Sequence, residues 1–204
     1  MGSELCIRDR VGGSSSVNGL LWVRGNRANY DSWAAEGNAG WDADSVNEVY
    51  KRVEDFEDGA DDYRGDSGPI KVTRHSQPTE ASLQFEQAAS DTLSVKILKD
   101  YNAAEQEGVS RFQQSAFGGK RYSSSRGYLT NADRPTLEVQ SQVHVQKINI
   151  ENGRATGVEV LDKKGDRRTI RAGKEVILSA GVFGSCLLYT SPSPRDRTRH
   201  RMPS

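Results

Sequence analysis

The chain has 204 residues, 28 basic and 28 acidic side chains, a formal net charge of zero and a mean hydropathy of −0.73. A zero net charge gives no general reason to expect nucleic acid or an anionic membrane as a partner, and the absence of an apolar run of about 18 residues argues against a transmembrane helix. The apolar fraction of 34% is low for a self-sufficient globule and is typical of a piece of a larger protein.

A run of small residues, Gly12-Gly13-Ser14-Ser15-Ser16, leads directly into the apolar stretch from Val17 to Val23. Glycine permits a tight turn and a close approach to a ligand, serine suits a helix start, and the free amides of such a start attract phosphate. A flexible linker is the alternative, but apolar residues do not normally follow a linker at once. We interpret the run as a diphosphate-binding loop, followed by a short buried helix or turn over 17–23.

The strongest helix signal extends from Ser45 to about Phe56. Ser45 and Glu48 have the spacing of a capping box, and the apolar residues recur every three or four positions. The preceding segment, residues 26–42, is predicted to be a loop that carries Tyr30, Trp33 and Trp41. At the helix end, we expect the acidic group Glu54, Asp55, Glu57 and Asp58 to be solvated surface.

The next predicted elements are a loop over 58–68 and a short strand from Ile70 to Arg74. A helix from Glu80 to about Ala89 follows Pro78-Thr79. Beyond Arg134-Pro135 the composition changes to that of strands. Strands are predicted at 137–140, 143–150, 155–161 and 168–172, with a hairpin turn at Asn152-Gly153 and a second turn at 163–166. The apolar run 175–179 predicts a strand of a buried parallel sheet.

Five blocks along the chain, taken in order, resemble the glucose-methanol-choline oxidoreductases, which are FAD-dependent enzymes that oxidise alcohols. Together the blocks cover about residues 11–185. The first is 12–31 with Trp33 and Gly40-Trp41, the second is 50–58, and the third is 65–72. The fourth is the pair 100–109 and 121–129, and the fifth is 134–184. The pair 100–109 and 121–129 is similar to the choline-dehydrogenase-like branch.

The resemblance implies an α/β fold (α+β as a fragment): part of an FAD-binding Rossmann-type domain with a β meander, and the start of a substrate-binding domain. Residues 11–66 and 131–185 are expected to belong to the FAD-binding domain and residues 67–130 to the substrate domain. Residues 1–10 and 186–204 resemble translated adapter sequence and are expected to be non-native ends. Cys6 and Cys186 lie in these ends and give neither metal spacing nor a disulfide framework.

The resemblance also implies cofactor contacts for seven residues. They are Gly12, Gly13 and Ser14 at the FAD diphosphate and ribityl region, Asn18 beside the isoalloxazine ring, Val145 at the adenine edge, and Ala180 and Gly181 at the end of a strand. Structural roles are the alternatives for Asn18, as a turn or cap residue, and for Val145, as strand core.

Some relatives place a covalently bonded histidine where this chain has Val17, so the resemblance implies non-covalent FAD. The family's catalytic histidine lies near its C-terminus, in a region that this sequence does not contain. His75, His144 and His200 match no family motif and are expected to be structural or surface residues. No catalytic residue and no metal ligand is therefore assigned.

We interpret the chain as the central portion of an FAD-dependent alcohol oxidoreductase, inactive by itself, whose substrate is a small-molecule alcohol and whose location is cytoplasmic or peripheral to a membrane. Two alternatives stay open. The arginine-rich tail could make the protein a nucleic-acid-binding or regulatory protein, or the chain could be a non-catalytic binding module.

Overall fold

The computed structural model describes residues 11–75, 77–130 and 134–189, and the chain divides into two units, Met1–Arg134 and Pro135–Ser204. The first unit opens with a 3-10 helix over Gly13–Ser16 and ends with a π-helical turn over Arg126–Thr130. Between them lie α1 (Arg27–Ala35), α2 (Ala43–Val53), β1 (Glu54–Phe56), β2 (Ile70–Arg74), α3 (Glu80–Leu93), β3 (Gln113–Gln114), β4 (Ala116–Phe117) and β5 (Lys120–Arg121). None of the helices among the described residues is sufficiently long and apolar to cross a lipid bilayer.

Capping side chains start the three α-helices of this unit. Asn26 accepts from Ala28 N at 2.9 Å, Asp42 accepts from Ser45 N at 2.9 Å, and Thr79 accepts from Ser82 N at 3.2 Å. These bonds satisfy amides that a helix start otherwise leaves without partners. The predicted helices at 45–56 and 80–89 are confirmed, with shifted ends, and the helix cap is Asp42 rather than Ser45.

The prediction of a loop over 26–42 is wrong, because α1 occupies much of this segment. Three aromatic rings stabilise it: Trp33 packs edge-on against Tyr30 at a centroid distance of 5.3 Å and against Trp41 at 5.8 Å. Edge-to-face aromatic pairs are favourable beyond the area that they bury. The first contact lies within α1, whereas the Trp33–Trp41 contact joins α1 to the loop that follows it, and the periodicity of the helix gives no sign of that second contact.

A mixed sheet follows α2 directly. Strand β1 pairs in parallel with β2, and β2 pairs antiparallel with β3. The alternation of a strand places Glu54 and Phe56 on the same buried face. Phe56, Ile70 and Val72 form the apolar core of the unit, with Trp22 and Val53 packed against it. The predicted strand at 70–74 is confirmed, whereas the predicted helix ends three residues earlier than Phe56.

Glu54 is fully buried, so the prediction of a solvated acidic group is wrong at this position. Its carboxylate accepts from Arg24 at 2.5 Å, from Arg64 Nε and Nη2 at 2.8 and 3.0 Å, and from Trp22 Nε1 at 2.9 Å. The backbone amide of Gly65 donates a further bond at 3.1 Å. A buried carboxylate is tolerated only when it is paired and hydrogen-bonded in this way.

The network continues from Arg64 into the loop after α3. Arg64, itself fully buried, donates to both oxygens of Asp100 at 3.1 and 3.0 Å and to Gln113 Oε1 at 2.8 Å. Asn102 donates to the same Gln113 oxygen at 2.9 Å and accepts from Arg24 N at 2.8 Å. Five segments that are distant in sequence therefore share one buried polar network.

Tyr50 lies beside this network. The Arg24 guanidinium stands 4.9 Å from its ring centroid, and its hydroxyl lies 3.5 Å from that of Tyr30. Burial raises the pKa of Tyr50 to about 12, and the hydrogen bond with Tyr30 adds to the shift. Burial also lowers the pKa of Arg24, an effect that the facing carboxylate of Glu54 opposes.

The second unit contains an antiparallel meander of β6 (His144–Glu151), β7 (Arg154–Leu161) and β8 (Arg167–Arg171), and helix α4 (Gly181–Tyr189). The predicted hairpin turn is confirmed: Asn152 and Gly153 have φ values of +50° and +77°, as a type I′ turn requires. Val160 is almost fully buried in this sheet.

Two predicted strands of this unit, 137–140 and 175–179, are wrong for the structure as described. Ile177 is 81% exposed. The physical reason is that a strand needs a hydrogen-bonded neighbour, and the described residues provide none for either segment.

We predict that Glu54→Gln lowers the free energy of unfolding by about 3–5 kcal/mol. The change leaves the buried Arg24 guanidinium without a charge partner and leaves Arg64 paired with Asp100 alone. Urea unfolding followed by tryptophan fluorescence measures this, since Trp22 donates to Glu54. The matched control is Asp58→Asn, which removes a carboxylate that is 42% exposed and pairs with Arg74 and should cost less than about 1 kcal/mol. Equal losses for the two variants would contradict the prediction.

We also predict that Tyr50 makes the protein less stable in alkali. An unfolded tyrosine loses its proton near pH 10, whereas native Tyr50 keeps its proton until about pH 12. The unfolded state therefore binds fewer protons in this window, and stability falls as the pH rises from 10 to 12. Urea midpoints of Tyr50→Phe should decline less steeply over the same range. Parallel curves for variant and parent would refute the assignment.

Candidate functional site

The glycine and serine run forms a tight turn at the start of the described chain. Gly12 and Gly13 have φ values of +101° and +57°, in the left-handed region that favours glycine. Ser14 O accepts from Val17 N at 3.0 Å and from Asn18 N at 2.8 Å, which closes the turn. The first amides of a helical turn have no acceptor within it, so this turn presents main-chain N–H donors.

The serine hydroxyls point back along the chain rather than outward. Ser15 donates to Gly12 O, and Ser16 donates to Val11 O at 3.0 Å. These bonds hold the backbone of the turn. A Cβ at Gly13 would meet nothing within 4 Å, so the outer side of the turn is open space into which a ligand can approach.

The expectation of a buried helix or turn over 17–23 is wrong. Val17, Leu21 and Val23 are 37%, 49% and 51% exposed. Leu20 has a left-handed φ of +68°, and from Leu21, which forms an antiparallel bridge with Gln114, the chain runs beside β3. Trp22 N donates to Gln113 O at 2.8 Å, and Leu20 O accepts from Ser115 N at 2.8 Å. Main-chain bonds to a strand therefore fix the residues that follow the turn.

A second segment, 121–125, lies against the turn. Arg121 Nη1 donates to Ser15 O at 3.1 Å and to Asn18 Oδ1 at 2.9 Å, and Ser124 N donates to Ser15 Oγ at 3.0 Å. A Cβ at Gly12 would stand 2.9 Å from Ser125 Cβ. In the sequence, this segment appears only as part of a block that resembles the family, and no spacing or motif indicates that it contacts the turn.

The side-chain amide of Asn18 has a defined orientation. Its oxygen accepts from Leu20 N at 3.0 Å as well as from Arg121. Both bonds use Oδ1, so the oxygen faces the protein. Across the described ranges no acceptor contacts Nδ2, which leaves two N–H donors available to a ligand.

The remaining candidate residues lie in the second unit. Val145 pairs with Val160 in the meander, and β6 is an edge strand of the sheet as described. One side of its backbone therefore lacks a strand partner. Ala180 and Gly181 were expected at the end of a strand, but they lie at the start of α4. Ala180 N donates to Ser185 Oγ at 3.1 Å, and Gly181 has a φ of +80°.

The two histidines that the structure describes, His75 and His144, do not come together in a site. His75 and His144 are both exposed, and His200 lies outside the described residues. In the part of the chain that the structure describes, His, Cys, Asp and Glu side chains form no group of three that could hold a metal ion.

Comparison with protein families identifies the chain. Residues 4–193 match the family described as GMC oxidoreductase. The chain belongs to the GMC oxidoreductase family. Its mixed helices and strands agree with the expected α/β class, and the family that the five sequence blocks suggested is confirmed.

Similar curated proteins come from the choline-oxidising branch of the family. The chain is 38% identical over 176 residues to the oxygen-dependent choline dehydrogenase of Sinorhizobium medicae, a match that covers 86% of this chain and 32% of the relative. The corresponding protein of Rhizobium meliloti is 37% identical with the same coverage. The chain spans about a third of the length of these curated relatives.

Solved structures share the fold. An FAD-dependent oxidoreductase from Chaetomium thermophilum matches with a TM-score of 0.80 and 26% identity over 87% of this chain and 33% of that chain. A variant of the formate oxidase of Aspergillus oryzae matches with a TM-score of 0.79 and 24% identity over 95% and 35% of the two chains.

We predict that Gly12→Ala disrupts the turn. Alanine at this left-handed position costs about 1–2 kcal/mol. Its Cβ would stand 2.7 Å from Ser16 Oγ and 2.9 Å from Ser125 Cβ, which adds an overpacking cost of about 1–3 kcal/mol. The matched control is Gly118→Ala, at a φ of +57° with nothing within 4 Å of the new Cβ, which carries the backbone cost alone. Urea unfolding compares the two variants. A smaller loss for Gly12→Ala than for Gly118→Ala would contradict the contact between the two segments.

Proposed function

We propose that this chain is the central portion of an FAD-dependent oxidoreductase that acts on the CH–OH group of a small-molecule alcohol. One observation carries the proposal: a left-handed glycine turn with open main-chain donors lies next to an asparagine whose N–H groups face outward. The choline dehydrogenase relatives and the FAD-dependent structural neighbour support it.

The residues of the turn fit a dinucleotide diphosphate. The main-chain amides of Gly13 and Ser14 would donate to the diphosphate, and a Cβ at Gly13 would have nothing within 4 Å. The positive charge of Arg121 lies close by. Gly12, Gly13 and Ser14 would hold the diphosphate and ribityl region of FAD. Asn18 would donate to the isoalloxazine ring.

The second unit supplies the other proposed contacts. The free edge of β6 at Val145 suits main-chain hydrogen bonds to an adenine, and Ala180 and Gly181 permit close approach because their side chains are small. Residues 11–66 and 131–185 would thus form parts of the FAD-binding domain, and 67–130 the start of the substrate domain. Residues 1–10 and 186–204 are proposed to be non-native, although the family match includes residues 4–10 and 186–193.

Bound FAD supplies the hydride acceptor for alcohol oxidation. The residues of this chain bind and orient that cofactor, and the base that removes the alcohol proton is proposed to lie in a part of the parent protein outside this sequence. The isolated chain should therefore be inactive. We propose choline-type alcohols as the substrate class and a cytoplasmic or peripheral membrane location.

The test uses the complete natural protein that contains this chain, purified and examined for the visible absorption of oxidised flavin. Anaerobic addition of choline, compared with alcohols that lack the quaternary ammonium group, should bleach that absorption. Because Val17 cannot bond to the flavin, acid precipitation should release all the flavin into the supernatant. A protein without flavin refutes the proposal, and flavin in the pellet refutes non-covalent binding alone.

A further inference from the structure

We propose that Arg121 is a positioning residue that sets the shape of the cofactor turn and the orientation of the Asn18 amide. The inference rests on the proposed FAD-binding function of the turn. Arg121 is 103 residues from Asn18 in sequence, and no sequence pattern joins them. The structure brings the guanidinium group to both acceptors on the inner side of the turn.

One nitrogen of the guanidinium group connects two parts of the turn. Nη1 donates to the main-chain oxygen of Ser15 at 3.1 Å and to Asn18 Oδ1 at 2.9 Å. Hydrogen bonds from a charged donor are about twice as strong as neutral ones. Arg121 is half-buried, and its bond to Ser15 O is partly shielded from solvent, whereas its bond to Asn18 Oδ1 is exposed.

Arg121 is itself held in place from its backbone. It pairs with Ala116 in the β4–β5 hairpin, and Arg126 donates to its main-chain oxygen at 3.3 Å. The adjacent Tyr122 N donates to Ser115 O at 2.8 Å, and Ser115 N in turn donates to Leu20 O at 2.8 Å. The hairpin that carries Arg121 is therefore bonded to the same segment that follows the turn.

The bond to Oδ1 decides which end of the amide faces the ligand. A cation beside the side chain of Asn18 favours the orientation in which the amide oxygen faces the cation. The NH2 group then faces outward and presents its donors. Without the cation, one of the two bonds that hold the oxygen is lost, and Leu20 N alone opposes rotation of the amide. An amide with its oxygen outward would offer an acceptor where the proposed cofactor contact needs a donor.

The experiment compares Arg121→Met with Lys120→Met in the complete natural protein. Both variants remove one positive charge from the same hairpin, and Lys120 is exposed. We expect Arg121→Met to weaken flavin binding by about tenfold or more, as the loss of charge-assisted bonds predicts, and Lys120→Met to change it less than about twofold. Flavin content after dialysis and titration with free FAD give the dissociation constants.

A double-mutant cycle separates positioning from simple charge attraction. If Arg121 acts through Asn18, the combined variant with Asn18→Ala should bind flavin about as weakly as Arg121→Met alone, because the second change removes a contact already lost. Fully additive losses would mean that Arg121 does not act through the Asn18 amide and would overturn the proposed orientation of that amide.

The visible spectrum of the bound flavin gives a readout that a loss of stability does not move. We expect Arg121→Met, saturated with FAD, to shift the flavin absorption bands, and Arg121→Lys to restore them in part because the amine can donate to the same oxygens. If Arg121→Met does not fold, Arg121→Lys and Arg121→Gln serve in the same cycle. Unchanged affinity and spectra overturn the inference, whereas a wild-type protein without flavin overturns the proposed function instead.

Discussion

The structure of the first unit depends on the buried carboxylate of Glu54. Two guanidinium groups, Arg24 and Arg64, converge on it where the side chains are shielded from water. Desolvating these charges is costly, and close ion pairing with hydrogen bonds offsets that cost. Within the described residues, Arg24 Nε is buried without a hydrogen-bond partner. The network therefore forms only when each segment that supplies a partner lies in its native position, which restricts how these segments can pack together.

This constraint extends to the cofactor turn through a short series of contacts. Trp22 donates to Glu54 with its indole and to Gln113 with its main chain. The neighbouring Leu20 bonds to Ser115, and from there the hairpin leads to Arg121, which holds the turn. The buried polar network thus supports an exposed turn. A binding site on a loop needs such support, because its hydrogen-bond donors must stay oriented toward the ligand.

Local chemistry explains the elements that were predicted correctly. The strand at 70–74, the helix after Thr79 and the turn at Asn152-Gly153 each follow from residues within a few positions of one another. The errors have the opposite origin. Helix α1 lies in the segment 26–42, which was predicted to be a loop, and it packs through Trp33 on Trp41, a residue beyond its end. The run 175–179 has strand composition without a strand partner among the described residues.

The sequence by itself determined the family, the position of the glycine turn and most of the local elements, since composition and spacing carry that information. Only the tertiary structure decided that Glu54 is buried and that Arg121 lies at the turn. In an acidic run, Glu54 has the composition of surface, and its bond to Trp22 spans 32 residues. A contact that depends on the path of the whole chain leaves no mark in the spacing of the residues that make it.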